Sequence, residues 1–100
     1  MPETKPDDLA RVHIWVRGRV QGVGYRAFIQ QSGVLFNLTG WVRNASYNQV
    51  EILAEGPRQV VERFAETAKT GPRASHVDEA RVEWETPTGE FKEFGVKYSI

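Results

Sequence analysis

The feature that most constrains this chain is a change of hydrophobic period on either side of a glycine-rich turn. Val12, Ile14 and Val16 alternate with His13, Trp15 and Arg17, the pattern of a strand with one face on a core. From Tyr25 to Phe36 the apolar positions 25, 28, 29, 35 and 36 share one helical face instead. Between the two lies Gly-Arg-Val-Gln-Gly-Val-Gly-Tyr-Arg, residues 18 to 26. The glycines therefore sit where a strand turns into a helix N-terminus, which presents free backbone N–H groups and the positive end of the helix dipole. Between Asp8 and Glu51 there are five arginines and no acidic residue. The turn reads as an anion site, with a phosphate group as guest and Arg26, in the first helical turn, as its charged partner.

The rest of the chain repeats these two periods in a telling order. Trp41-Val42-Arg43 and the stretch from Val50 to Glu55 flank Ala45-Ser46-Tyr47-Asn48, which predicts a hairpin with a loop longer than two residues. Within its second strand Val50, Ile52 and Ala54 point one way. Gly56-Pro57 opens a helix whose stripe is Val60, Val61, Phe64, Ala65 and Ala68, and Gly71-Pro72 closes it. Ala80, Val82 and Trp84 alternate within a strand over 77–85. Phe94, Val96, Tyr98 and Ile100 alternate in a last strand after a Pro-Thr-Gly turn. Asn37 is placed to end the first helix in the left-handed region, and Gly33 weakens that helix slightly. The order is that of an α+β, ferredoxin-like βαββαβ sandwich: an antiparallel sheet with two helices on one face, plus an additional C-terminal strand. The other sheet face would carry His13 and Trp15, partly exposed.

At 100 residues and 40% hydrophobic content the chain suits one core, here a single domain over 10–100 behind a flexible leader, residues 1–9, rich in proline and charge. Net charge is zero but unevenly spread: −2 over residues 1–8, +5 over 9–50, and −3 over 51–100, where seven cations face ten acids. That balance argues against bulk affinity for nucleic acid or membranes and still leaves a local positive site. Cysteine is absent, which removes disulfides, thiol nucleophiles and cysteine-type zinc sites. With no acids beside the loop there are no obvious magnesium ligands, so neither a metal nor a cofactor is expected. The N-terminus lacks the apolar core of a signal peptide and no apolar run approaches membrane-spanning length, so a cytoplasmic monomer is expected.

Competing readings of the same residues are weaker. Gly22-Val-Gly24-Tyr-Arg-Ala27 satisfies the dinucleotide-binding pattern literally, but no acid follows about 20 positions on. No Gly-Lys-Ser or Gly-Lys-Thr follows the loop, which sets aside a nucleoside-triphosphate P-loop. An RNA-binding sheet needs a basic, aromatic third strand, and Gln49-Val-Glu-Ile-Leu-Ala-Glu55 is acidic without aromatics. His13 and His76 read as ordinary strand or loop residues, and Trp15, Trp41 and Trp84 as packing residues. Arg11, Arg17, Arg19 and Arg43 read as solvated charges, with Arg19 placed to steer anions.

Gly18 to Arg26 resembles the phosphate-loop signature of the acylphosphatases, and Thr39-Gly-Trp-Val-Arg-Asn44 resembles their second motif. Both occur in the family's order and on the expected elements. Val50-Glu-Ile52, Glu55-Gly56, the Gly71-Pro72 break and Phe94-Gly-Val-Lys-Tyr98 extend the similarity from about residue 10 to the end. The chain departs from the family pattern at Tyr25, at Asn37, in the 45–48 loop and in the extra Ser99-Ile100. The resemblance implies that backbone amides of Gly18, Arg19, Val20, Gln21, Gly22, Val23 and Gly24 cradle a phosphate. It implies further that Arg26 pairs with the phosphate oxygens and that Asn44 positions the attacking water. The implied reaction is hydrolysis of a small acyl phosphate to carboxylate and inorganic phosphate, and the absence of acids from residue 9 to 50 predicts that it is metal-independent. Elementary chemistry agrees: a carboxylate leaves without a general acid, so positioning and charge stabilisation can supply most of the catalysis. Arg26 and Asn44 are thus the expected catalytic pair. The reading from a different class is a non-catalytic phosphate- or phosphoprotein-binding module using the same loop.

Overall fold

The computed structural model describes residues 8–98. Of the expected leader, residues 1–7 lie outside that range, as do Ser99 and Ile100 of the expected last strand. The elements run β1 Leu9–Arg19, α1 Tyr25–Leu35, β2 Thr39–Asn44, β3 Gln49–Pro57, α2 Arg58–Thr70, β4 His76–Glu85 and β5 Phe94–Val96. The sheet order is β4-β1-β3-β2-β5, with both helices against it.

The alternation read in β1 is the alternation of the core. Val12, Ile14 and Val16 are fully buried, as are Val42 of β2 and Val50, Ile52 and Ala54 of β3. Directly opposed residues of an antiparallel pair share a face, so the rows Ile14–Ile52–Val42 and Val12–Ala54–Gly40 run under the helices. Helix α2 answers with Val61, Phe64, Ala65 and Ala68, while Val60 is only half-buried. Phe64 meets Phe94 edge-on at 5.6 Å and Phe36 at 6.4 Å, knitting both helices to β5.

Helix α1 buries Tyr25, Ile29, Ser32 and Gly33. Leu35, expected on that face, is 84% exposed, because it stands about 200° round the helix from Gly33. Gly33 has a packing role: a Cβ there would come within 2.5 Å of the Phe94 ring. The helix ends as expected at Asn37, φ 61°, with Leu38 N–H donating to Gly33 and Asn37 N–H to Val34 in a Schellman arrangement.

Three expectations about the sheet are corrected. It is mixed, because β5 runs parallel to β2. The chain leaves β4 on one edge, crosses over residues 86–93 and enters on the opposite edge in the direction of β2. The face away from the helices is also less open than the alternation implies, since Glu51, Leu53 and Glu55 of the central strand are buried there as well. Trp84, expected to alternate into the core, is 41% exposed with the Arg58 guanidinium 4.7 Å above its ring.

Candidate active site

Three elements end together where β1 stops. In the ladder Val16 faces Val50 and Val50 faces Asn44, so Asn44 stands on the helix side of the sheet, two strands from the start of the loop. From Val16 the chain enters the glycine turn and then α1, whose N-terminus lies at this same end.

The turn is pinned at both ends and free in the middle. Val20 is buried in the core, and Tyr25, also buried, donates its hydroxyl to the Ala68 carbonyl at 2.6 Å. Burial pushes the Tyr25 phenol well up from its ordinary value, so it remains a donor. Gln21 donates to the carbonyls of Ser46 and Gln49, at 2.9 and 2.8 Å, tying the turn to the β2–β3 hairpin. Gly22 and Gly24 take φ of 74° and 80°. A Cβ at either would meet nothing within 4 Å, so backbone sign rather than crowding calls for glycine.

The amides sort themselves accordingly. Gly18 N–H donates to Asn48 O and Val20 N–H to Gly18 O, both at 3.0 Å, and Arg19 pairs in the ladder with His76. These expected members of a cradle are already engaged or held in the sheet. The first helical bond is Phe28 N–H to Gly24 O, and among the described residues Gln21, Gly22, Val23 and Gly24 donate to no backbone carbonyl.

Two side chains at this end are unsatisfied. Arg26 is half-buried and has no ion-pair or hydrogen-bond partner among the described residues. Asn44 Oδ1 is buried and has no hydrogen-bond partner among the described residues. Such an acceptor is costly to bury alone and marks a place where a small donor such as water belongs.

Arg17 and Arg19 are exposed as expected, but Arg11 and Arg43 are not solvated charges. Arg11 lies 3.1 Å from Glu55, 3.1 Å from Glu85 and 3.0 Å from Glu90. Arg43 pairs with Glu51 at 2.8 Å and, with Lys97, covers the Trp41 ring. His13, expected to be ordinary, stacks on Trp15 at 3.8 Å and contacts Glu51 at 2.6 Å and Glu85 at 3.2 Å. Burial works against ionisation of Glu51, but the bonds from His13 and Arg43 outweigh it and hold the carboxyl below the usual range. These contacts lace the open sheet face together. Periodicity places their residues on that face, but which ones pair depends on register.

A ferredoxin-like α+β protein with a glycine turn of free amides between its first strand and first helix, and an asparagine at the end of β2 at the same end of the sheet, has the architecture of a small enzyme family. The family model described as Acylphosphatase matches residues 12–96. The acylphosphatase of Pyrobaculum islandicum is 41% identical over 87 residues, 86% of this chain and 92% of that protein. That of Syntrophotalea carbinolica is 46% identical over 88 residues, 88% and 96% of the two chains. The crystal structure of acylphosphatase from Bacillus subtilis superposes with a TM-score of 0.84 at 38% identity, covering 89% of this chain and 99% of that one. The chain belongs to the acylphosphatase family of hydrolases.

Proposed function

We propose that the turn, Arg26 and Asn44 divide the work of hydrolysing an acyl phosphate between them. The amides of Gln21 to Gly24 receive the phosphoryl oxygens at the N-terminus of α1, where the helix dipole favours negative charge. Arg26 spans two of those oxygens with its planar fork and neutralises charge that builds during transfer. Asn44 accepts a hydrogen bond from one water and turns its lone pair toward phosphorus. The water oxygen bonds to phosphorus, the bond from phosphorus to the acyl oxygen breaks, and the carboxylate departs with that electron pair. The water's proton passes to a phosphoryl oxygen or to solvent. An amide is no base, so Asn44 orients the water and does not deprotonate it.

The observation that carries this reading is the buried, unpartnered Oδ1 of Asn44 at the end of the sheet where the free amides lie. Metal-independent turnover is supported by the lack of any acid from residue 9 to 50. A monomer acting without nucleic acid or membrane is supported by the open sheet face, which is covered by its own ion pairs and cation–π contacts. The cytoplasm is the proposed place of action, in keeping with a small phosphorylated substrate.

The test is hydrolysis of benzoyl phosphate with chelator present and Asn44→Ala as control. Loss of one orienting group is expected to lower kcat about 10²–10³-fold. Saturable phosphate binding with no turnover above the mutant would instead make the turn a binding module.

A further inference from the structure

Helix α1 starts on a residue that cannot cap it. Its N-cap, Gly24, stands in the left-handed region at φ 80° and has no side chain to bond the first amides. That suits a turn whose amides are offered to an anion, but the direction in which the helix sets out must then be fixed from beyond the turn. The first helical residue reaches such an anchor. The Tyr25 ring is fully buried, and its hydroxyl donates to the Ala68 carbonyl, in the last turn of α2, at 2.6 Å. The sequence at the end of α2 leaves that carbonyl open. In a continuing helix it would accept from residue 72, which is Pro72 and has no N–H, and the Gly71 N–H goes to the Thr67 carbonyl instead, at 2.9 Å. The Tyr25 hydroxyl fills the place. Ring and helix end also fit closely, since a Cβ on Gly71 would lie 3.2 and 3.4 Å from two ring carbons of Tyr25.

We propose that Tyr25 is a positioning residue for phosphate binding: its hydroxyl, held by the last turn of α2, sets where the amides of Gln21 to Gly24 and the guanidinium of Arg26 stand. The inference rests on the active-site reading above and makes the site depend on a helix that carries none of its residues. The path is short. Tyr25 follows Gly24 and precedes Arg26, so a change in the seat of its ring moves the last free amide and the anion's charged partner together. A phenylalanine here keeps the ring and leaves the Ala68 carbonyl buried without its donor, a cost that the structure relieves by shifting the ring and with it the first turn of α1. The hydroxyl acts only through the turn and Arg26 and does not touch the substrate.

The experiment compares Tyr25→Phe with Val61→Ala. Val61 is buried near the start of α2 beside Gly56, which pairs with Ala10 at the end of the sheet away from the turn. Both substitutions should lower Tm by several degrees. Isothermal titration with inorganic phosphate, well below both midpoints, should show affinity weakened about three- to tenfold in Tyr25→Phe, as for one hydrogen bond, and unchanged in Val61→Ala. In Tyr25→Phe, KM for benzoyl phosphate should rise in step with the phosphate dissociation constant, while kcat stays within about twofold because Asn44 holds the water from β2. Hydrogen exchange should quicken at the Phe28 amide, whose bond to the Gly24 carbonyl opens α1, more than at Ile52 of the central strand. A lowered Tm with unchanged phosphate affinity and KM in Tyr25→Phe would overturn the proposal and leave the hydroxyl a stabilising contact only. Equal loss of affinity in Val61→Ala would overturn it too, because affinity would then follow overall stability. A parent protein that neither binds phosphate nor hydrolyses benzoyl phosphate overturns the active-site reading, and this proposal with it.

Discussion

The side-chain amide of Gln21 lies 2.8 Å from the carbonyl oxygen of Gln49, and the same nitrogen donates to Ser46 O. Among the described residues the amides of the loop's middle make no backbone bonds that could hold its shape, and this side chain ties it from outside. Gln21→Ala is therefore expected to loosen the turn while leaving the core intact. Phosphate affinity should fall about three- to tenfold, as for one or two neutral hydrogen bonds, with Tm shifting only a few degrees. Isothermal titration with inorganic phosphate and a thermal melt check both halves. A large drop in Tm with unchanged affinity would mean the bonds serve the fold and not the site.

Arg26 and Asn44 should separate binding from turnover. Arg26→Ala should lose phosphate binding and catalysis together, because it removes the charge that meets the anion. Asn44→Ala should bind inorganic phosphate within about threefold of the parent while kcat falls about 10²–10³-fold. Arg26→Lys should recover little, since a point charge does not replace a two-pronged fork. Equal loss of phosphate affinity in the alanine variants would remove the role given to Asn44.

Gly33 tests the close approach of α1 to β5. Gly33→Ala improves helix propensity but drives a methyl into the Phe94 ring, 2.5 Å from its nearest carbons. Overpacking is expected to win, destabilising by about 1–3 kcal/mol against a propensity gain of about 1 kcal/mol at most. Chemical denaturation would show it, and Phe94→Leu in the same background should recover part of the loss. A stabilised Gly33→Ala would mean the helix can shift away at little cost.

Glu55 gives the fold an acid-sensitive tie. Its carboxylate accepts from Thr88 N–H at 3.0 Å, Gly89 N–H at 2.9 Å, the Thr88 hydroxyl and Arg11, anchoring the 86–93 crossing to the central strand. Burial alone would raise its titration, but those donors prevail and hold it below the ordinary 4.5. A carboxyl depressed in the folded state stabilises the fold above its unfolded value and loses that contribution as pH falls through the folded one. Glu51, depressed by His13 and Arg43, acts in the same direction. Tm should therefore fall as pH drops from about 5 to about 3. Glu55→Gln should be less stable at pH 7 by about 1–3 kcal/mol and show a shallower fall over that range. Parallel curves for parent and variant would place the acid sensitivity elsewhere.

Much of the candidate site was legible in the sequence because its parts are local. A strand period, a glycine turn and a helical period are set within a few residues, so the turn and the place of Arg26 follow from residues 12 to 36 alone. Gly22 and Gly24 show this well: their positive φ is a property of the turn itself. Asn37 likewise ended α1 as expected, because a left-handed cap is decided by the residue that occupies it.

What only the tertiary structure decided are the relations between residues far apart in the chain. The pairing of Val16 with Val50 and of Val50 with Asn44 fixes which end of the sheet, and which face, Asn44 occupies. Among the described residues, the bonds of Gly18 and Val20 leave Gln21–Gly24 as the turn's unbonded amides, and Gln21's hold on the hairpin is invisible in a loop without periodicity. Arg11 and Arg43, free charges by composition, become bonded by strand register, and β5 turns the sheet mixed by crossing to its far edge. Periodicity records how each segment divides its surface between core and solvent. Which surfaces then meet is set by packing and hydrogen bonding among all of them at once, and no single segment carries that information.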